Sequence, residues 1–323
     1  MSRFNEPLVK NVLLNPIKDG ANKLIIISGY ATHNMASWHI KRINEDRLPP
    51  IDISLTIGMC KNDGLNIDVH EGFKSLQSLN DAMYSTVNCK YIFQGHPVHS
   101  KVYIWLKNDE PYIAYAGSAN YTQSGFSPSR REYIVECNPY DAYNYYLELE
   151  NDSIICNHNE IEEHIQITSN KVIKRIENEI NDGIVKQNEN CVTLSLLTNK
   201  GEVGHGSGIN WGHRRNGTKR ELNQAYISLP AKIARSGFFP LDKTHFSAIT
   251  DDHKHLILRV EQENDKAITT PLNNSLLGEY IRNRINVPNG AFVTKDDLLR
   301  YGRTDITFIK IDDEQFYMDF SVE

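Results

Sequence analysis

The residues best suited by type and spacing to do chemistry lie in the stretch Gly95-His96-Pro97-Val98-His99-Ser100-Lys101-Val102-Tyr103-Ile104-Trp105. Val98, Ser100, Val102 and Ile104 alternate with His99, Lys101 and Tyr103, which predicts a strand that sends His99 and Lys101 out of one face. Burial there disfavours the lysine's charge, and the ammonium in turn disfavours protonation of the histidine. A bound phosphate relieves both, because it accepts hydrogen bonds from the ammonium and presents phosphorus to a neutral imidazole, which can act as a nucleophile. Ile113-Ala114-Tyr115-Ala116 reads as the next strand, and Gly117-Ser118 lets the backbone turn so that Asn120 reaches the same oxygens. Lys101, Ser118 and Asn120 then stabilise charge on the non-bridging oxygens.

Glu132 follows Arg130-Arg131 and opens the strand-like run Tyr133-Ile134-Val135-Glu136. It shares a face with Ile134, so it is a candidate to hold the ring nitrogen of His99 that does not attack. A surface salt bridge with Arg130 or Arg131 is the alternative. His96 and His99 make a poor zinc pair, since no Cys or Glu stands at ligand spacing around them. His33 either lines the same cleft or caps a turn.

The elements that must position these groups alternate strand and helix. Lys23-Leu24-Ile25-Ile26-Ile27-Ser28 is an apolar run of central-strand type, and Thr32-His33-Asn34 can cap a helix over 35–43. A second strand is expected over 51–58, an amphipathic helix over 69–79, and a further strand over 88–94. Such alternation predicts an α/β domain with a sheet flanked by helices and functional groups at strand ends. A helix over 141–150 closes this domain, and 161–180 reads as a helical linker ended by Asp182-Gly183.

The second half is different, with short strands over 192–197, 224–229, 244–249, 255–260, 307–311 and 315–320 separated by Gly, Pro, Asn and Asp. Many short strands with turn signals predict an all-β barrel or sandwich, with helices only over 276–285 and 295–301. The domains are therefore expected at 1–160, 161–188 (linker) and 189–323. Between the first two of these strands lies a glycine-rich loop carrying Asn210, Trp211, Arg214, Arg215, Asn216, Lys219 and Arg220. A second polar group comprises Asn273, Asn274, Ser275, Tyr280, Arg282 and Arg284. Arg pairs with guanine and Asn with adenine, so both groups are candidates to contact DNA; a solvated loop is the bland alternative.

Composition sets the limits. The 323 residues exceed what one compact core usually organises, and the net charge of −6 excludes nucleic-acid binding through a globally basic surface. Contacts to a polyanion must come from local clusters. The 5 cysteines are scattered, without zinc or redox spacing, and read as reduced thiols. No apolar run is long enough to cross a bilayer, and the N-terminus lacks the build of a signal peptide, so the expected location is the cytoplasm, with no membrane partner.

His99-Ser100-Lys101 with Gly117-Ser118-Ala119-Asn120 resembles the His-x-Lys and Gly-Ser-x-Asn signature of the phospholipase D superfamily. Its lipid-hydrolysing members carry an Asp five residues after the Lys, where this chain has Leu106; the nuclease branch uses a later Glu, matched by Glu132. The second half resembles the plant B-three-type DNA-binding pseudobarrel. Asn210-Trp211-Gly212-His213-Arg214-Arg215-Asn216 and Leu298-Leu299-Arg300-Tyr301-Gly302-Arg303-Thr304-Asp305 are similar to the C-terminal part of the NgoFVII/NgoAVII-type restriction endonucleases. The resemblance implies a phospholipase D-like nuclease domain with a mixed sheet, an all-β pseudobarrel, and site-specific cleavage of double-stranded DNA through a phosphohistidine without metal or cofactor. It also implies a homodimer, because the family chemistry uses two full His-x-Lys and Gly-Ser-x-Asn signatures and this chain has one. A companion methyltransferase or ATPase is a further implied partner. A phosphodiesterase acting on another substrate and a non-cleaving DNA-binding regulator are the rival readings.

Overall fold

The structure is a computed structural model that describes residues 3–169, 171–181, 190–214 and 220–322. The chain divides into two compact units, Met1–Asn170 and Lys171–Glu323. No helix among the described residues is long and apolar enough to cross a membrane.

In chain order the strands of the first unit are β1 (Lys23–Ser28), β2 (Asp52–Ile57), β3 (Leu65–Asn66), β4 (Thr86–Ile92), β5 (Val102–Lys107), β6 (Glu110–Gly117), β7 (Ile134–Cys137), β8 (Ser153–Ile155) and β9 (Ile167–Thr168). Seven of them form one mixed sheet in the order β7-β6-β5-β1-β2-β4-β8, while β3 and β9 pair separately. β1, β2 and β4 run parallel; β5 is antiparallel to β1 and β6 to β5. Leu24, Ile25, Ile26 and Ile27 are all buried, which is why β1 sits centrally: no face of it is left to water. Ile25 and Ile27 pack with Val102, Ile104 and Tyr146 in the core on one side.

Helix α1 (His33–Glu45) begins where Thr32 accepts the Met35 N–H. Helix α2 (Ile67–Ser78) buries Phe73 and Leu76, and helix α3 (Pro139–Glu150) is capped by Asn138 with proline in its first turn. His33 does not line the cleft; it is buried at the start of α1 with its ring edge-on to Phe73 of α2.

One local expectation fails. Residues 98–101 are not part of a strand, which starts only at Val102. Their backbone groups go elsewhere: the Val98 N–H donates to Gly58 just beyond β2, and the Lys101 carbonyl accepts the N–H of Gly117, the last residue of β6. The His-x-Lys segment is thus a connector tied to the ends of two strands.

The second unit begins with helix α4 (Lys171–Asn181), whose Ile173 and Ile176 pack on Ile249, Ile309 and Tyr317. Most of the linker expected over 161–188 that is described here therefore serves as a buttress of this unit or, before residue 170, belongs to the first; Asp182-Gly183 lies outside the described residues. The strands are β10 (Cys191–Ser195), β11 (Ile227–Ser228), β12 (His245–Thr250), β13 (His255–Glu261), β14 (Ala267–Thr269), β15 (Asp305–Lys310) and β16 (Gln315–Asp319). Their order is β10-β15-β16-β12-β13-β14-β11, and the two edge strands approach each other, so the sheet is a nearly closed barrel. Its interior is filled by Phe239, Phe246, Phe308 and Phe316, with helix α5 (Ser275–Arg284) contributing Leu277 and Ile281 and helix α6 (Lys295–Tyr301) contributing Leu298.

Candidate active site and nucleic-acid interface

The structure brings His99, Lys101, Ser118, Asn120 and Glu132 together at the ends of β1, β5 and β6. The Lys101 ammonium lies 3.0 Å from His99 Nδ1 and 3.2 Å from Nε2, and donates to the His99 carbonyl at 2.5 Å. An ammonium only donates, so it can bond the imidazole only through a ring nitrogen that carries no hydrogen. Lys101 is buried, only 6 % exposed, whereas His99 is exposed. Burial lowers the lysine's pKa, and the nearby Glu132 carboxylate works against that shift.

Glu132 does not hold the His99 ring as expected. Its carboxylate accepts the Ser118 hydroxyl, and the Tyr133 N–H donates to the same hydroxyl at 3.0 Å. The reason is register: β7 starts at Ile134, so Glu132 lies before the strand, beside the turn at Ser118. Gly117 makes that approach possible, since a Cβ there would stand 2.1 Å from the Tyr133 carbonyl oxygen. Glu132 therefore fixes the Ser118 turn and adds negative charge near Lys101.

Asn120 is held by contacts the sequence did not reveal. Its Oδ1 accepts the Tyr30 N–H at 3.1 Å and lies 3.3 Å from the Ser28 hydroxyl. The Tyr30 ring stands edge-on to His99, with centroids 6.1 Å apart, and its hydroxyl donates to Asp63 at 2.5 Å. That hydrogen bond raises the Tyr30 pKa and lowers that of Asp63, whose carboxylate also accepts from Asn62. An ordinary Ser-Gly-Tyr at a strand end carries no motif signal. Its one clue is position, since the carboxyl end of a central parallel strand is where α/β sheets place functional groups.

In the second unit the singled-out residues separate into two sets. Asn210 is fully buried and exchanges two hydrogen bonds with the Val293 backbone, at 2.8 and 2.9 Å. Arg282 is also fully buried, and its guanidinium donates to the carbonyls of Ala291, Gly278, Ile209 and Leu222. Arg284 pairs with Asp251 at 2.6 Å and donates to the Tyr280 and Tyr301 hydroxyls; Tyr280 is itself buried. Ser275 is buried and donates to Glu221. For Asn210 and Arg282, expected to contact DNA, the geometry is a correction: their side-chain nitrogens donate to backbone carbonyls in a place without access.

The other set lies at the surface. Arg214 is exposed, and Arg220 stacks over the Trp211 indole at 4.2 Å, with Tyr226 edge-on to the same ring. Asn273 is half-buried, its side-chain oxygen accepting the Ser275 N–H; Asn274, also half-buried, precedes α5. Arg215, Asn216 and Lys219 lie outside the described residues.

Residues 6–163 match the family model of the NgoFVII restriction endonuclease N-terminal PLD domain, and residues 184–312 that of the NgoFVII C-terminal B3-like DNA-binding domain. No curated protein matches the chain. Among solved structures, NucT from Helicobacter pylori is similar at 18 % identity, over 46 % of this chain and 94 % of that one, with a TM-score of 0.30.

Proposed function

Since the chain belongs to the NgoFVII restriction endonuclease family, with a PLD domain followed by a B3-like DNA-binding domain, we propose that it is a type II restriction enzyme that cuts double-stranded DNA at a specific sequence through a phosphohistidine. The observation that carries the reading is the contact between the exposed His99 imidazole and the buried Lys101 ammonium, with Asn120 beside them. A ring nitrogen of His99 attacks phosphorus and the bond to one bridging oxygen breaks. The departing oxygen takes a proton from a second histidine, which then removes a proton from the water that cleaves the phosphorus–nitrogen bond. Lys101 and Asn120 donate to the non-bridging oxygens as charge develops, while Ser118 and Glu132 fix the adjoining turn.

The chain's other His-x-Lys, His39-Ile40-Lys41, has its imidazole fully buried and supplies no second histidine to the cleft, so that histidine comes from another copy and the working form is a homodimer with a composite site. The donors that neutralise the phosphate belong to the protein, and the mechanism needs no metal. On the reader unit, Trp211, Arg214 and Arg220, with Arg215, Asn216, Lys219, Asn273 and Asn274, contact DNA; Asn210, Ser275, Tyr280, Arg282 and Arg284 hold the loops that carry them. An enzyme of this kind works in the cytoplasm beside a protecting methyltransferase, with an ATPase as a further companion.

The deciding experiment is incubation with plasmid DNA in excess EDTA, with the cut ends sequenced. Discrete ends at one recurring sequence are expected. Strict dependence on magnesium would remove the metal-free mechanism, and full activity of a protein that sediments as a monomer would remove the composite site.

A further inference from the structure

Asn120 presents one side of its amide to the cleft, and the end of β1 decides which. The Tyr30 N–H lies 3.1 Å from Asn120 Oδ1. A backbone N–H can only donate, so the amide atom facing it is the oxygen, and the NH2 group faces away from Tyr30. The Tyr30 peptide is held in turn by Ser28: its hydroxyl donates to the Tyr30 carbonyl at 2.6 Å and accepts the Tyr121 N–H at 3.0 Å. Ser28 is fully buried, so neither bond is exchanged with water. The same seam continues through the Thr32 N–H, which donates to the Tyr121 carbonyl, and through a bridge between Ala31 and Tyr121. Gly29, between the two bonded residues, leaves no spare room: a Cβ there would stand 3.2 Å from His99 Cδ2 and 3.5 Å from Asn120 Oδ1.

We propose that Ser28 is a positioning residue, which fastens the turn after β1 to the turn carrying Asn120 and so aims the asparagine NH2 at the scissile phosphate. The consequence for catalysis rests on the nuclease reading above; the geometry does not. A hydroxyl is needed because it donates to one turn and accepts from the other at once, which an alanine methyl cannot do.

The test uses full-length Ser28→Ala and Ser28→Cys in single-turnover DNA cleavage. Ser28→Ala is expected to lower the rate constant about 100-fold, the usual scale for a displaced charge-stabilising donor, with DNA affinity unchanged. Ser28→Cys keeps a weak donor and acceptor in nearly the same volume and recovers part of the rate. In an Asn120→Ala background either change should cost nothing further, because Ser28 acts through the missing amide. A rate within about twofold of wild type for Ser28→Ala, or a full additional loss in the Asn120→Ala background, overturns the proposal. A crystal structure of Ser28→Ala, or of Ser28→Cys should the alanine variant not fold, supplies a readout independent of cleavage. The Asn120 amide should have left the Tyr30 N–H, and an unmoved amide refutes the assignment whether or not the wild-type protein cuts DNA. A wild-type protein that leaves DNA intact while the variant's amide moves would instead refute the nuclease reading alone.

Discussion

Around His99, polar side chains from three strand ends meet with the imidazole exposed and Lys101 and Asn120 close against it. Around Arg282, polar side chains also converge, yet the guanidinium is fully buried and four backbone carbonyls accept from it. The difference is where the hydrogen-bonding capacity is spent. A barrel joined by long loops must satisfy the carbonyls of those loops wherever they pass beneath the surface, and an arginine with five donors does that for several at once. An α/β sheet satisfies its own backbone along the ladder and leaves side chains at the strand ends available for a ligand. The same residue types therefore read as chemistry in one unit and as scaffolding in the other.

The largest effect that tests this contrast is the loss of the exposed imidazole. His99→Ala should reduce DNA cleavage by at least about 10⁴-fold, as removal of a covalent nucleophile does, while specific binding in a gel-shift assay is retained. Residual cutting at a tenth of the wild-type rate would mean that the convergence at the strand ends is not the reacting centre.

Arg282→Ala tests the other side. It leaves buried carbonyls without donors and a cavity beneath the loops, so urea unfolding of the full-length protein should show the second unit destabilised by about 3–5 kcal/mol. Wild-type stability combined with altered sequence preference would make Arg282 a reader of DNA and erase the distinction drawn here.

His39 shows that the first unit also contains a histidine of purely structural use. It is fully buried between the Tyr121 hydroxyl, at 2.9 Å, and the Leu13 carbonyl, at 3.1 Å, and burial lowers its pKa to about 4. The unfolded chain, with a pKa near 6.5, binds the proton first as the pH falls. The stability from keeping this ring neutral is thus complete above about pH 6.5 and is lost progressively down to about pH 4, amounting to about 3 kcal/mol. Unfolding midpoints between pH 7 and pH 4.5 should follow that slope for wild type and flatten for His39→Gln. An unchanged slope in the variant would assign the acid sensitivity to other groups.

What the sequence made legible follows the same division. His99, Lys101 and Asn120 announced themselves because two short motifs with fixed internal spacing fall on consecutive strand ends, and the run of isoleucines in β1 placed the central strand beside them. Ser28 did not, because its partner Tyr121 is far away in sequence and a serine ending a strand is commonplace. Residues 98–101 look like strand by alternation, but their hydrogen bonds go to Gly58 and Gly117, a tertiary choice that local periodicity cannot encode. In the loops of the second unit, composition identified arginines and asparagines without saying which would meet carbonyls. For Arg282 that depended on Ile209, Leu222 and Ala291 arriving from separate segments.

The smallest effect is the most discriminating, because it separates readers from supports within a single loop. Arg214 is exposed, while Asn210, four residues earlier, is clamped to the Val293 backbone. Arg214→Ala should leave stability within about 0.5 kcal/mol of wild type, as a surface change does. Its cost should instead be about 1–3 kcal/mol of DNA affinity if the guanidinium reads a base, confined to the cognate sequence. If it meets a phosphate, the loss should be the same on every sequence, and the slope of log affinity against log salt should fall by about 1. Asn210→Ala should do the reverse, lowering stability first and affinity only through the slackened loop. Fluorescence anisotropy on cognate and scrambled duplexes across a salt series, run beside urea unfolding of both variants, gives all four quantities. Equal stability losses for the two variants would place Arg214 among the supports and leave the stacked Arg220–Trp211 pair as the leading candidate contact on this loop.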